Sequence, residues 1–345
     1  MLTQRRTTNI LLLIIVVPLV FYLLKILSFI FIPLVFSMFI ALLFLPLMRW
    51  LGKRKIPKYV SIIIVVLLIV TGLKIGSELI QLSSQQIVAS DTKFFDKAEE
   101  KLSSLVFYLE DTFGVVVDTN KSLVSQFVQK GNIGSTVDFL RKFITMILMT
   151  AFFVVLWLAE SIDMHKLLNN TILKQRHASI KAFMKIEKDL ITFIKVKFLV
   201  SLFTGIGTGL ACLFFDVSFP IFWGLFAFVI NFVQMVGSFI SVILLSIFAF
   251  VELEPTSTLF FFVISITGVQ VLFGAILEPI FMGKSFSINV IAVLVMLMLW
   301  GYIWGIAGLI MAIPITVFLK IILEQFPNTK IIASLLSGKE TEIKS

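Results

Sequence analysis

Cysteine is nearly absent. Cys212 stands alone in 345 residues, which excludes an intramolecular disulfide. Histidine is almost as scarce: His165 and His177 lie twelve residues apart, and neither joins Cys212 or a carboxylate in a metal-ligand or catalytic-triad spacing. No glycine-rich phosphate loop of the Walker type occurs, so pumping driven by this chain's own ATP hydrolysis is not expected. These gaps argue against an enzyme and imply no cofactor and no metal. Charge is also thin, at 14% of residues against about a quarter in soluble domains.

What fills the chain instead is apolar. Hydrophobic residues make up 59% and the mean hydropathy is +1.07. Runs of roughly 18 or more apolar residues, each long enough to cross a bilayer, recur along its length. The expected fold class is all-α, a polytopic helical integral membrane protein with about eight membrane segments. Apolar runs and breakers place helices near 10–31, 33–50, 59–79, 140–160, 191–215, 219–251, 256–278, 286–302 and 304–324, with Pro18, Pro33 and Pro46 as punctuation. The first run is too long for a signal-peptide core and lacks a small-residue cleavage site, so it is expected to be retained. The 37 Phe residues read as lipid-facing or packing material.

Orientation follows from Lys and Arg in short loops. Arg5 and Arg6 precede the first run; Arg49, Lys53, Arg54, Lys55 and Lys58 occupy the second hairpin; Lys166, Lys174, Arg176, Lys181, Lys185 and Lys188 occupy 161–190. In 81–139, five lysines are outnumbered by eight acids. The N-terminus is therefore expected in the cytoplasm of a bacterial cell, with 81–139 outside. The net charge of +9 points to anionic lipid near cytoplasmic loops rather than to nucleic acid. This divides the chain into N-terminal membrane helices (1–80), an external, mostly helical insertion (81–139), a membrane helix (140–160), a cytoplasmic interfacial helix (161–190), a C-terminal membrane core (191–324) and a cytoplasmic tail (325–345). Leu102, Leu105, Val106 and Leu109 form an apolar stripe in the insertion. Opposed faces of Ile180, Phe183, Met184 and Leu190 against Lys181, Lys185 and Lys188 suit a helix lying in the interface before the chain turns into the next span.

One segment is too long. As one helix, 219–251 would reach about 50 Å at ~1.5 Å per residue, against a hydrocarbon core about 30 Å thick. The acidic stretch Glu252–Pro255 and the turn at Asp216 both read as external, so the segment is expected to enter and leave by the same side. Two half-helices meeting near Gln234–Gly237 satisfy this, and broken helices form substrate sites in many transporters. The rival is a single long tilted helix.

Three stretches in combination resemble the AI-2E family of transporters, over nearly the whole chain. FIKVKFLVSLFTGIGTGL, with Lys195, Lys197 and Ser201, is similar to the family's span after the interfacial helix. DVSFPIFWGLFAFVINFVQMVGSFIS is similar to its most characteristic stretch; Asn231 and Gly237 match, while Gln234 stands where the family commonly has proline. LEPIFMGKSFSINVIAVLVMLMLWGYIWGIAGLIMAIPITVFLKIILE resembles the final block, with Pro279, Gly283, Gly301, Gly305, Gly308 and Pro314. The resemblance implies export of a small polar signalling molecule or metabolite of the autoinducer-2 kind, or sodium/proton antiport. It also points to a homo-oligomer, a pentamer being the number it suggests. A membrane scaffold that moves nothing is the remaining alternative.

Several residues carry the expectation of a pathway. Asn231, Gln234, Ser238 and Ser241 converge as one polar stripe or as the two sides of a break, because buried polar atoms need partners. Their other reading is interhelical hydrogen bonding, worth about 0.6 kcal/mol on average. Glu278, before Pro279, is either an intramembrane relay carboxylate or the end of a helix reaching water beside Lys284. Lys195 and Lys197 either snorkel to the interface or, for Lys197, join the pathway. Lys25 reads as a snorkelling residue, and Lys74–Glu78 as a local i,i+4 pair. Gly205 and Gly209, with Ser201, Thr204 and Thr208, and Gly301, Gly305 and Gly308, are expected at close helix contacts; a sliding surface or hinge is the other reading.

Overall fold

A computed structural model of the chain describes residues 2–89, 100–101, 145–160, 177–233, 236–253, 257–283, 288–325 and 329–337. Every regular element among the described residues is helical: α1 (Leu2–Ile26), α2 (Ser28–Lys53), α3 (Lys58–Ala89), α4 (Thr145–Glu160), α5 (His177–Phe214), α6 (Pro220–Ile230), α7 (Val236–Glu252), α8 (Ser257–Met282), α9 (Val290–Gln325) and α10 (Lys330–Ser337). Five of these, α2, α3, α5, α8 and α9, contain stretches long and apolar enough to cross a membrane. The polytopic all-α expectation holds. The apolar stripe of Leu102, Leu105, Val106 and Leu109 lies outside the described residues.

Two boundaries differ from expectation. The break between α1 and α2 falls at Leu27, not at Pro33, which sits buried inside α2. At Leu27 the chain bends without losing its hydrogen bonds, since its N–H reaches the Leu23 carbonyl at 2.9 Å and its own carbonyl accepts from Ile30. Nor does the chain turn between the interfacial helix and the next span: α5 is continuous from His177 to Phe214. Neither glycine nor proline occurs between Lys188 and Lys197 to interrupt it. The pair expected at 286–302 and 304–324 is present as two helical arms of α9, which meet at Gly305 with φ 60° and ψ −136°. A Cβ on Gly308 would lie 1.8 Å from the Trp300 carbonyl oxygen. Eight residues of straight helix span about 12 Å, so the axis folds back at Gly305. Only glycine takes that backbone conformation at little cost.

The helices fall into two compact units. One draws on α1, α2, the first part of α3, α4, the first part of α5, α9 and α10. There α1 packs on α2 and α9, and α10 on α9. The Trp304 indole N–H donates to the Leu24 carbonyl at 2.9 Å, and the Lys25 ammonium lies 3.7 Å from the Tyr302 ring centroid. Arg49 of α2 donates to Glu187 of α5.

The other unit holds the second parts of α3 and α5 with α6, α7 and α8. Segment 219–251 is broken: the first half ends at Ile230, the second begins at Val236, and the two pack on each other. Their far ends are tied, because the Ser218 backbone N–H donates to the Glu252 carboxylate at 2.8 Å and the Ser218 hydroxyl donates to its other oxygen. A single tilted helix could not bring 218 and 252 together, so that rival falls. Lys101 caps the end of α7, donating to the carbonyls of Phe250 and Leu253 at 2.6 Å each. Trp223, Phe219, Phe262 and Leu245 belong to the buried core of this unit, and the partly buried Phe248 packs against them.

Candidate functional site

The second unit assembles its polar groups through small residues. Along α5, Lys197, Ser201, Thr204 and Thr208 recur at intervals of four, three and four, one face of an α-helix, and all are buried. Gly205 and Gly209 share that face. A Cβ on Gly205 would come within 2.7 Å of the Gly224 carbonyl oxygen, and one on Gly209 within 3.2 Å of that of Pro220. The backbones of α5 and α6 therefore approach as closely as glycine permits. This contact delivers the end of α6 to Ser201, whose hydroxyl accepts a hydrogen bond from the Asn231 amide at 3.1 Å.

Gly237 does similar work at the start of α7. A Cβ there would lie 1.9 Å from the Ile230 carbonyl oxygen, so the second half-helix starts against the end of the first. The Gly237 N–H closes the turn on the Val233 carbonyl at 2.7 Å. Gln234 lies outside the described residues.

Across from the break, α8 changes its winding. From Val271 to Leu277 it is a π-helix, and the Glu278 N–H bonds to the Phe273 carbonyl five residues back. At 3.6 residues per turn, positions eight apart would differ by about 80° around an α-helix. The wider π turn brings both Gln270 and Glu278 to one wall. Such bulges recur at functional sites, where they re-aim side chains.

Glu278 meets Lys197 there. The Lys197 ammonium donates to both carboxylate oxygens at 3.0 Å, and each side chain is only 4% exposed. Two opposite charges so far from water persist because each satisfies the other. The pair borders a cavity of about 370 Å³ whose polar lining comprises Lys197, Asn231, Ser238, Thr267, Gln270 and Glu278. That volume is within the range of small-molecule sites.

The structure thus brings together Lys197, Asn231, Ser238 and Glu278 from three separate stretches. It does not bring in Ser241, buried in α7 away from the cavity lining, or Pro279, exposed beyond Glu278. Lys197 is buried and ion-paired rather than snorkelling, whereas Lys195 is exposed. Lys74 and Glu78 are exposed, with a separation of 3.9 Å. Gly301 and Gly308 flank the Gly305 fold in the other unit, where a Cβ on Gly301 would meet Leu309 at 2.8 Å. Sequence reasoning missed Thr267 and Gln270. The available signal was an amide in the middle of the apolar run ISITGVQVLF, the same anomaly that marked Asn231.

Residues 10–328 match the family model described as AI-2E family transporter. The chain belongs to this family. It is 25% identical over 320 residues to a candidate transport protein of Haemophilus influenzae, with 90% of each protein aligned. It is 22% identical over 325 residues to the AI-2 transport protein TqsA of Escherichia coli, again with 90% of each aligned. A Borreliella burgdorferi relative is 34% identical over 149 residues, 43% of this chain and 41% of that one. This AI-2E protein is thus an integral membrane protein of a transporter family. Its cavity lies within the matched region.

Proposed function

We propose that the chain moves a small polar solute across the bacterial cytoplasmic membrane through the cavity beside Lys197 and Glu278, with no nucleotide site of its own. The observation that carries this reading is a buried ion pair bordering a polar cavity at the break between two half-helices. Charged groups at membrane depth are costly, and they characteristically line ion and solute paths. Autoinducer-2 is the first solute to test, because the Escherichia coli relative is named for its transport. The break, with Asn231 and Gly237, forms one side of the path and the π segment before Glu278 the other. In this reading the N-terminus is cytoplasmic, the Ser218–Glu252 end faces outward, and the protein works as a homo-oligomer, whose subunit number native mass spectrometry measures.

The test is flux of autoinducer-2 in proteoliposomes for the parent chain, Asn231→Ala and Glu278→Gln. Both variants should assemble and lose at least tenfold in flux; full transport by both would sink the assignment. Glu278 also favours a second reading, sodium/proton exchange, since an intramembrane carboxylate can carry a proton or a cation. Sodium entry that dissipates a preset proton gradient, and stops with Glu278→Gln, would select it. Movement of neither probe would favour a scaffold.

A further inference from the structure

The amide of Gln270 is buried and incompletely used. The residue is 6% exposed, and its carboxamide oxygen has no hydrogen-bond partner among the described residues. Such an acceptor, stripped of water and left unpaired, destabilises the fold that holds it. It stands at the last α-helical position before the π segment and lines the cavity with Glu278. We propose that Gln270 is a solute-binding residue whose carboxamide oxygen accepts a hydrogen bond from a hydroxyl of an uncharged solute. The inference rests on the transport reading above and names the chemistry that the cavity selects.

Charge bookkeeping within the cavity argues for an uncharged guest. Both oxygens of Glu278 already accept from the Lys197 ammonium at 3.0 Å, so the closed pair presents a cation with no uncompensated negative charge. An incoming cation would instead meet the Lys197 charge, and an anion that of Glu278. Asn231, Ser238 and Thr267, which share the lining, are neutral hydrogen-bonding groups. A carboxamide oxygen only accepts, so its complement is a donor, and a hydroxyl supplies one without charge. Sites built around such unpaired groups discriminate strongly against analogues that lack the matching donor.

The test measures binding and stability together. Autoinducer-2 and erythritol, two small hydroxyl-rich solutes, are titrated calorimetrically into the full chain in nanodiscs. Gln270→Met keeps length and removes the acceptor; Gln270→Asn keeps an amide. At least one solute should bind the parent, with Kd raised tenfold or more in Gln270→Met, about 1.4 kcal/mol, and partly restored in Gln270→Asn. The thermal midpoint of Gln270→Met should equal or exceed the parent's, because the variant removes an unpaired buried acceptor; a merely structural glutamine would lose stability instead. Unchanged Kd in Gln270→Met overturns the proposal, as does a parent that binds neither solute. Binding that behaves as expected in a protein without flux would leave the site standing and remove the transport reading alone.

Discussion

Replacing Glu278 by glutamine leaves Lys197 with a buried charge and no counter-ion among the described residues. At 3.0 Å and an effective dielectric of about 20, the lost Coulomb attraction is roughly 5–6 kcal/mol. The glutamine oxygen still accepts one hydrogen bond, which returns part of it, so the measured cost of Glu278→Gln should be about 3–5 kcal/mol. Lys197→Met should cost a similar amount, by stranding the carboxylate. The double variant Lys197→Met with Glu278→Gln strands no charge. Because burying each ion costs several kcal/mol, its stability should return to within about 1 kcal/mol of the parent. Reversible unfolding in mixed micelles, followed by circular dichroism, gives the cycle, and the coupling should exceed about 3 kcal/mol. Additive losses, with coupling under about 0.5 kcal/mol, would refute the claim that these charges satisfy each other. Flux separates structure from function: the double variant should fold and still fail to transport. Full flux from it would reduce the pair to a structural contact.

Gly237→Ala should destabilise by about 1–3 kcal/mol, because the new methyl would fall 1.9 Å from the Ile230 carbonyl oxygen; Gly268→Ala, with nothing within 4 Å, should stabilise by roughly 0.5–1 kcal/mol, and equal melting temperatures for the two would refute the packing argument. Glu252→Ala should cost about 1.5–3 kcal/mol by releasing the Ser218 N–H and hydroxyl, and hydrogen exchange should accelerate first at 215–220; protection that stays at parental levels would exclude a latch. Cys212 has no exposed surface, so a membrane-permeant maleimide should label it at least tenfold more slowly in the folded protein than in denaturant; fast labelling of the native chain would place it on a surface.

Class and helix content were legible because hydrophobicity and length are local quantities. A run such as Val290–Glu324 announces itself, and the arithmetic of hydrocarbon thickness exposed 219–251 as too long without knowledge of any contact. The misread boundaries share one cause, the weight given to single residues. The apolar pattern puts the first break beside Pro33 rather than at Leu27, yet a membrane helix carries proline when its surroundings meet the freed carbonyl. The break between the two arms of α9 was legible to within two residues of Gly305, but nothing local revealed that Gly308 would have to pass the Trp300 carbonyl. The π turn was invisible, since VLFGAIL has no composition that distinguishes π from α winding.

The site was legible as anomalies and illegible as a constellation. Asn231, Lys197 and Glu278 each stood out as polar groups in apolar runs, but Lys197 and Glu278 are 81 positions apart and their pairing is a tertiary fact. The break is the instructive case. The stretch that holds it carries Gln234 and no proline, and no residue from 231 to 235 forbids a helix by backbone geometry alone. The helix nonetheless ends at Ile230. What ends it is long-range: Ser218 and Glu252 tie the far ends together, Gly237 admits the Ile230 carbonyl at a distance no side chain tolerates, and Asn231 spends its amide on Ser201. A proline break is written into one residue and survives the loss of its neighbours. This break is distributed over contacts worth a few kcal/mol together, so each can be removed singly and the healing of the helix followed.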